Sequence, residues 1–190
     1  VKLFAITLAA LLNMAPVATS AASLEGQTLD DRITLAAREL QLNGIGLRGV
    51  LFIKAYVAGL YTPGKVTSYA ELATMPGPRR LHLRMLLSAG PEDFISPMVD
   101  GIRKNTSEAE MAGLAERTEQ LQRSIRAFGG TAAGDNIHFD YLPEQGTILT
   151  VNGKSRGAPI PGLDFYNAVL RVFVGDQPVD NKLKAGLLAQ

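Results

Sequence analysis

In the run RGVLFIKAYVAGLY, residues 48–61, the odd positions after Gly49 hold Leu51, Ile53, Ala55, Val57, Gly59 and Tyr61. The even positions hold Arg48, Val50, Phe52, Lys54, Tyr56, Ala58 and Leu60. Successive side chains of a strand point to opposite faces. The pattern therefore predicts one strand with a greasy face and a second face mixing cation, phenol and aromatic. Such a mixed face is either solvated or the wall of a ligand pocket, and spacing alone favours solvation.

Other segments show clearer periods. RRLHLRMLLSA, 79–89, sets Leu81, Leu83, Met85 and Leu87 against Arg80, His82 and Arg84, a half-buried strand that follows a Pro76–Pro78 loop. Ser96-Pro97 reads as the cap and first residue of a short helix to about Asn105. Ser107 and Glu110 form a capping box for a second helix, with Met111, Leu114, Thr118, Leu121, Ile125 and Phe128 at helical spacing and Gly129-Gly130 as its stop. Strands return over 136–160, with a turn at 143–146 and a hairpin signal at Asn152-Gly153. Asp164 and Asp180 read as caps of two closing helices. Segment 32–43 fits a helix face or two short strands, and propensity leans to helix. Asn43-Gly44 and Gly46 mark a turn before the opening strand. Strands, helices, strands, helices make an α+β chain: an antiparallel sheet with helices on one face.

The first 22 residues stand apart. Lys2 precedes an apolar run from Leu3 to Leu12, and Ser20, Ala21 and Ala22 offer a small-residue cleavage site. That is the pattern of a secretory signal peptide. The run is shorter than the about 20 residues that span a bilayer. Expected are a leader over 1–22, one domain over 23–190 with no membrane span, and a periplasmic or otherwise exported location. The chain has 19 Lys+Arg and 18 Asp+Glu, so losing Lys2 leaves 18 of each. No cationic excess remains for phosphate contacts, which argues against nucleic acid. Cysteine is absent, so thiol chemistry, disulfides and Cys-ligated metals are excluded.

Familiar catalytic motifs are missing. There is no G-x-S-x-G, H-E-x-x-H or P-loop, and no dinucleotide fingerprint is assigned. His82 and His138 would make a metal pair only if their strands adjoin, and ordinary exposed histidines are the favoured reading. No metal or cofactor is expected. Asp93, Asp100, Asp135 and Asp140 read as solvated carboxylates.

Three blocks do carry a resemblance. LNGIGLRGVLFIKAYVAGLY, 42–61, has a Gly-x-Gly-x-Arg turn and then Phe-x-Lys-x-Tyr-x-x-Gly-Leu-Tyr. DNIHFDYLPEQGTILTVNGK, 135–154, and IPGLDFYNAVLRVFVGDQPVDNKLKAGLL, 160–188, follow in order. Together they resemble the chalcone isomerase-like proteins, in particular a bacterial exported branch. The resemblance implies the chalcone isomerase fold, a large antiparallel sheet with a layer of helices on one face and a ligand cleft between. It also assigns 32–43 to strands, against propensity.

The resemblance makes Arg48 the family's pocket arginine, unpaired in the empty protein. Tyr56 stands where the enzymes keep a threonine. Arginine offers a planar two-pronged donor to a carboxylate, and tyrosine adds a hydroxyl. Phe52 and Val50 are expected along the ligand's tail, with Lys54 on the same face. Asn105 matches the enzymes' asparagine. Their catalytic tyrosine falls near Met98, and a late-helix polar residue falls near Val172. Neither replacement can donate a proton, a loss commonly of about 10²–10⁴ in rate. The preferred expectation is a non-catalytic exported protein that binds a small hydrophobic carboxylic acid, with a fatty acid as the first candidate. The alternatives are an isomerase or intramolecular lyase on an unknown substrate, and an envelope module that docks a protein partner. The leader generates a direct expectation: protein isolated from cells should have an intact mass lacking about the first 20–22 residues. A full-length mass in the membrane fraction would refute processing.

Overall fold

The computed structural model describes residues 21–190. The expected leader lies outside the described residues except for Ala21 and Ala22, which open strand β1 (Ala21–Leu24). β1 pairs with β2 (Gln27–Asp30) in a separate two-stranded hairpin. The main sheet has seven antiparallel strands in sequence order. These are β3 (Arg32–Leu35), β4 (Arg38–Val50), β5 (Ile53–Thr62), β6 (Arg79–Met85), β7 (Asn136–Leu142), β8 (Gly146–Val151) and β9 (Lys154–Ser155). Segment 32–43 is thus strand, turned at Ala36 and Ala37, both with positive φ. Register pairs Ile33 with Leu40 on a buried face, so tertiary pairing overrides helix propensity.

The opening run is two strands and not one. β4 ends at Val50, Leu51 and Phe52 make the turn, and β5 starts at Ile53. Nothing in these apolar residues signals a turn, which is why periodicity missed it. Conversely, Asn43, Gly44 and Gly46 make no turn and lie within β4.

Five helices are interleaved with these strands in the described residues. α1 (Tyr69–Thr74) was not expected, although Ser68 and Glu71 carry a capping signal: the Ser68 side chain accepts from the Glu71 N–H. α2 (Pro91–Lys104) begins five residues before the Ser96 cap read from the sequence. Gly90 is its N-cap, the Asp93 carboxylate accepts from the Gly90 N–H at 2.7 Å, and Pro97 falls inside the helix. α3 (Glu108–Phe128) has the Ser107–Glu110 box and ends at Gly129 in the left-handed region. α4 (Leu163–Val174) is capped by Gly162, while Asp164 sits in its first turn, gripped by two 2.7 Å bonds from Arg117. α5 (Asn181–Leu187) is capped by Asp180. β6 stops at Met85, short of the expected end at 89.

Helices cover one face of the sheet and the β1–β2 hairpin covers part of the other. Ala58, Leu60, Leu81, Leu83, Phe139 and Leu149 pack toward the helices with Phe165, Val169 and Phe173. Leu40, Leu42, Val57 and Tyr61 pack toward Leu29 of the hairpin.

Two β-bulges decide which face each residue takes. Leu42 pairs with Tyr61 and Gly44 with Leu60, so Asn43 is an extra residue in β4. Before it Leu40 and Leu42 face the hairpin; after it Ile45 and Leu47 do, and Gly44, Gly46 and Arg48 turn toward the helices. Asn43 is 2% exposed and fully used. Its Nδ2 donates to the carbonyls of Val66 and Leu187, and its Oδ1 accepts from the Val66 N–H. Gly44 and Gly46 then let α5 lie directly on β4. A Cβ at Gly44 would overlap the Gly186 carbonyl oxygen, and one at Gly46 would come within 2.7 Å of the Leu183 carbonyl oxygen. Gly44→Ala therefore forces helix and strand apart. It should destabilise the fold by about 1–3 kcal/mol, the range for overpacking, measured by urea unfolding. A wild-type midpoint would show that α5 is free to move.

Candidate ligand-binding site

Between the end of the sheet and helices α2 and α4 lies a cavity of about 380 Å³. That is within the range of small-molecule sites, about 300–1,000 Å³. Its sheet wall is Val50 of β4, Ile53, Ala55 and Tyr56 of β5, and Leu83 and Met85 of β6. Its helix wall is Phe94, Pro97 and Met98 of α2 with Val172 and Phe173 of α4. Among the described residues, only Arg48, Tyr56 and Asp93 bring polar side chains to this lining.

Arg48 and Tyr56 are cross-strand partners, side by side on the same face of the sheet. Arg48 has a partner, contrary to the expectation that it stands unpaired. Its Nη1 donates to the Asp180 carboxylate at 3.3 Å and to the Gly49 carbonyl at 3.1 Å. Asp180 reaches this point because it caps α5, accepting from the Lys182 and Leu183 N–H groups at 2.8 and 3.1 Å. Burial pushes the Asp180 carboxyl up, but those N–H groups, Gly49 and Arg48 outweigh it and hold it below the usual carboxylate range. It therefore stays anionic at neutral pH. Both partners are mostly shielded from solvent, with side-chain exposures of 21% and 14%. At 3.3 Å the contact is long for a charge-assisted bond. A guanidinium has five N–H donors, and Nη1 alone makes these contacts, so donors remain for a ligand.

Burial drives the Tyr56 hydroxyl well above the ordinary phenol value; nearby Arg48 opposes this and Asp180 adds to it. Tyr56 is consequently a neutral donor and not a base at physiological pH. It makes no side-chain hydrogen bond with another described residue. The pair can thus offer one cation and one O–H to an acceptor in a chamber that is apolar apart from Asp93.

Of the other residues singled out from the sequence, Met98 lines the cavity and brings only a thioether. Lys54 does not join Arg48 and Tyr56. Arg48 pairs with Tyr56 and Gly49 with Lys54, so Ala55 is a bulged extra residue that reverses the alternation. Lys54 consequently turns to the hairpin side, where its Nζ donates to Glu25 at 2.6 Å. Phe52 is fully exposed at the β4–β5 turn and lines nothing. Asn105 is the C-cap of α2 and belongs to the helix junction. Its Nδ2 donates to the Gly101 and Gln177 carbonyls, and its Oδ1 accepts from the Gln177 N–H. Gly44, Gly46 and Gly49 do have the literal spacing of a dinucleotide-binding turn, although no such fingerprint was assigned from the sequence. They lie in β4, with a strand and not a helix after them, so no helix N-terminus is presented to a phosphate.

The profile of the chalcone isomerase-like family matches residues 21–189. This chain belongs to the chalcone isomerase-like family. A solved structure similar to it is a fatty-acid-binding protein of Arabidopsis thaliana, with a TM-score of 0.69 and 13% identity, covering 89% of this chain and 96% of the plant chain. That likeness is one of architecture, and this family member has the chalcone isomerase fold. No curated protein sequence matches the chain.

Elsewhere in this family member the outer face of the sheet holds polar groups that spacing did not resolve. Asp140 is no solvated carboxylate: it is 4% exposed and takes two 2.6 Å bonds from Arg80. Arg79, on the inner face, is 1% exposed, donates to the Leu72 carbonyl and lies 5.2 Å from the Tyr141 ring centroid. His82 and His138 are register partners on adjacent strands, with rings edge to face at 4.5 Å. His82 Nε2 shares a 2.8 Å bond with Asn136 Oδ1, and no third His, Cys, Asp or Glu joins the pair among the described residues.

Burial, with Arg80 and His82 adding to it, pushes the His138 imidazole down to about 3. The folded value lies below the unfolded one of 6.5. The neutral ring therefore favours the fold above about pH 6.5, and that stability drains away as pH falls from 6.5 toward 3. At about 1.4 kcal/mol per unit, lowering the pH from 7 to 5 should cost about 1–2 kcal/mol through this residue. His138→Gln should flatten that part of the stability–pH curve, read by urea unfolding. Parallel curves for the two proteins would show that His138 does not titrate on unfolding in this window.

Proposed function

We propose that this chain is a non-catalytic binding protein for a small hydrophobic carboxylic acid, a fatty acid in the first instance, and that it works after export. The observation that carries the reading is Arg48 beside Tyr56 on a cavity whose remaining lining, the Asp93 carboxylate apart, is aliphatic, aromatic and thioether side chains. A carboxylate at the pair would gain a charged and a neutral hydrogen bond, worth more in a shielded site than in water. An acyl tail would lie against Leu83, Met85, Phe94 and Met98. The fatty-acid-binding role of the plant protein of the same fold supports the ligand class. The expected leader supports the exported setting.

Chemistry finds less support. Met98 and Val172 offer no proton, and the raised Tyr56 hydroxyl is a poor base. Arg48 could polarise a carbonyl, but the one carboxylate of the described lining, Asp93, is engaged at the start of α2, accepting from the Gly90 N–H at 2.7 Å.

Asp180 changes what each substitution should do. A bound carboxylate must share Arg48 with an existing anion, and removing Arg48 leaves that anion facing the ligand. By calorimetric titration with lauric and palmitic acid, Arg48→Ala should lose about 2–3 kcal/mol of affinity, roughly 30- to 150-fold. Tyr56→Phe should lose about 0.5–1.5 kcal/mol, one neutral hydrogen bond. Asp180→Asn keeps a good helix cap and removes the competing charge, so it should bind more tightly than wild type. Lys54→Ala should match wild type, because Lys54 faces the other side. Equal affinities for the wild type, Arg48→Ala and Tyr56→Phe would remove the pair from the site.

A further inference from the structure

The β4–β5 hairpin ends in four large apolar residues in a row, Val50, Leu51, Phe52 and Ile53, exposed by 48%, 94%, 100% and 59%. Soluble proteins scatter exposed apolar side chains singly, and hairpin turns favour Asn, Asp and Gly. Here the turn takes Leu51 at φ +55°, a backbone region where a branched aliphatic residue is disfavoured. Two unfavourable choices at one place point to a use for the side chains themselves.

We propose that this tip docks the protein on a lipid bilayer, with Leu51 and Phe52 seated at the boundary of headgroups and acyl chains. Three features select a lipid surface as the occupant. First, the tip is a two-residue turn whose side chains are almost wholly exposed, so a second folded surface would need a matching pit to cover them. Second, β4 and β5 remain paired up to Val50 and Ile53, so inserting the tip buries few unpaired peptide groups. At about 3.4 Å per residue, the two turn residues and their flanks reach roughly the 5–10 Å depth of interfacial insertion. Third, the tip is continuous with the cavity, because Val50 and Ile53 also form part of its wall. Docking therefore turns the cavity's rim toward acyl chains, a route for a lipid acid to pass between bilayer and cavity. That last step rests on the ligand reading above; the docking itself does not. The charges beside the tip are matched, Lys54 with Glu25 and Arg48 with Asp180, so binding should depend little on salt.

The chain has no tryptophan, so Phe52→Trp installs a single indole reporter at the tip. Vesicles of phosphatidylcholine, with and without a quarter of phosphatidylglycerol, serve as the probe. On adding vesicles, the indole emission of this variant should shift to the blue and be quenched by brominated acyl chains. Leu51→Asn with Phe52→Gly gives a turn that suits the hairpin while removing the apolar tip. This double variant should partition into floated vesicles at least 10-fold less than wild type with the same N-terminus. Its affinity for lauric acid in solution should stay within about twofold, since neither residue lines the cavity. An unshifted, unquenched indole, or equal partitioning of the double variant and wild type, overturns the docking. So does protection of the tip by a copurified protein without any vesicle response, which would make it a protein contact. Vesicle docking by a wild type that binds no lauric acid would uphold the tip and refute the ligand reading instead.

Discussion

The contact of α5 with β4 is the constraint on which the site depends. Gly44 and Gly46 on the strand and Gly186 on the helix let the two backbones touch, and any side chain there would hold them apart. Asn43 locks the arrangement by bonding the loop at Val66 and the end of α5 at Leu187. Because α5 is held so close, its capping Asp180 is delivered to Arg48, more than 130 residues away along the chain. A helix cap thereby doubles as the counter-ion of the pocket cation. The same carboxylate caps α5 and restrains Arg48, so under the proposed function helix stability and ligand preference share one group.

The two bulges distribute the charges. A strand of uniform period would leave Arg48 on the same side as Leu40 and Leu42, facing the β1–β2 hairpin. The extra residue Asn43 moves it to the helix side. The second extra residue, Ala55, separates Lys54 from Tyr56 although they are two positions apart. One bulge brings the cation in and the other sends a cation out. The cavity lining therefore holds Arg48, Tyr56 and the Asp93 carboxylate, with Asp180 behind Arg48, while Lys54 is kept out of it.

Buried polarity is handled by a different device at the far end of the sheet. Arg80 and Asp140 satisfy each other across β6 and β7, whereas Arg79 has no carboxylate partner and relies on a carbonyl and two tyrosine rings. Burial pulls the Arg79 guanidinium below its ordinary value, with the neighbouring tyrosines opposing. Burying a cation without an anion costs free energy, which the carbonyl bond and the two ring faces offset in part. The Arg79 guanidinium lies 5.2 and 5.8 Å from the ring centroids of Tyr141 on β7 and Tyr166 on α4, so it packs between these elements.

The sequence by itself determined the elements whose signals are local. The alternation of β6 around Leu81 and Leu83, the Ser107–Glu110 start and Gly129 stop of α3, the Asn152-Gly153 hairpin and the Asp180 cap each depend on a few adjacent residues. The family resemblance added the fold and the strands of 32–43, which propensity assigned otherwise. Only the tertiary structure decided the faces. Parity counting fails at a bulge, because one unpaired residue reverses every side chain beyond it. No composition rule marks Asn43 or Ala55 as that residue; pairing with the neighbouring strand does. The turn at Leu51-Phe52 was hidden for a related reason, since its apolar residues contradict the usual turn chemistry and the hairpin forms because β4 and β5 pair along their length. Arg48 was legible as a pocket residue through resemblance, but its partner was not, because the Asp180 contact exists only once a closing helix has come to rest on the strand.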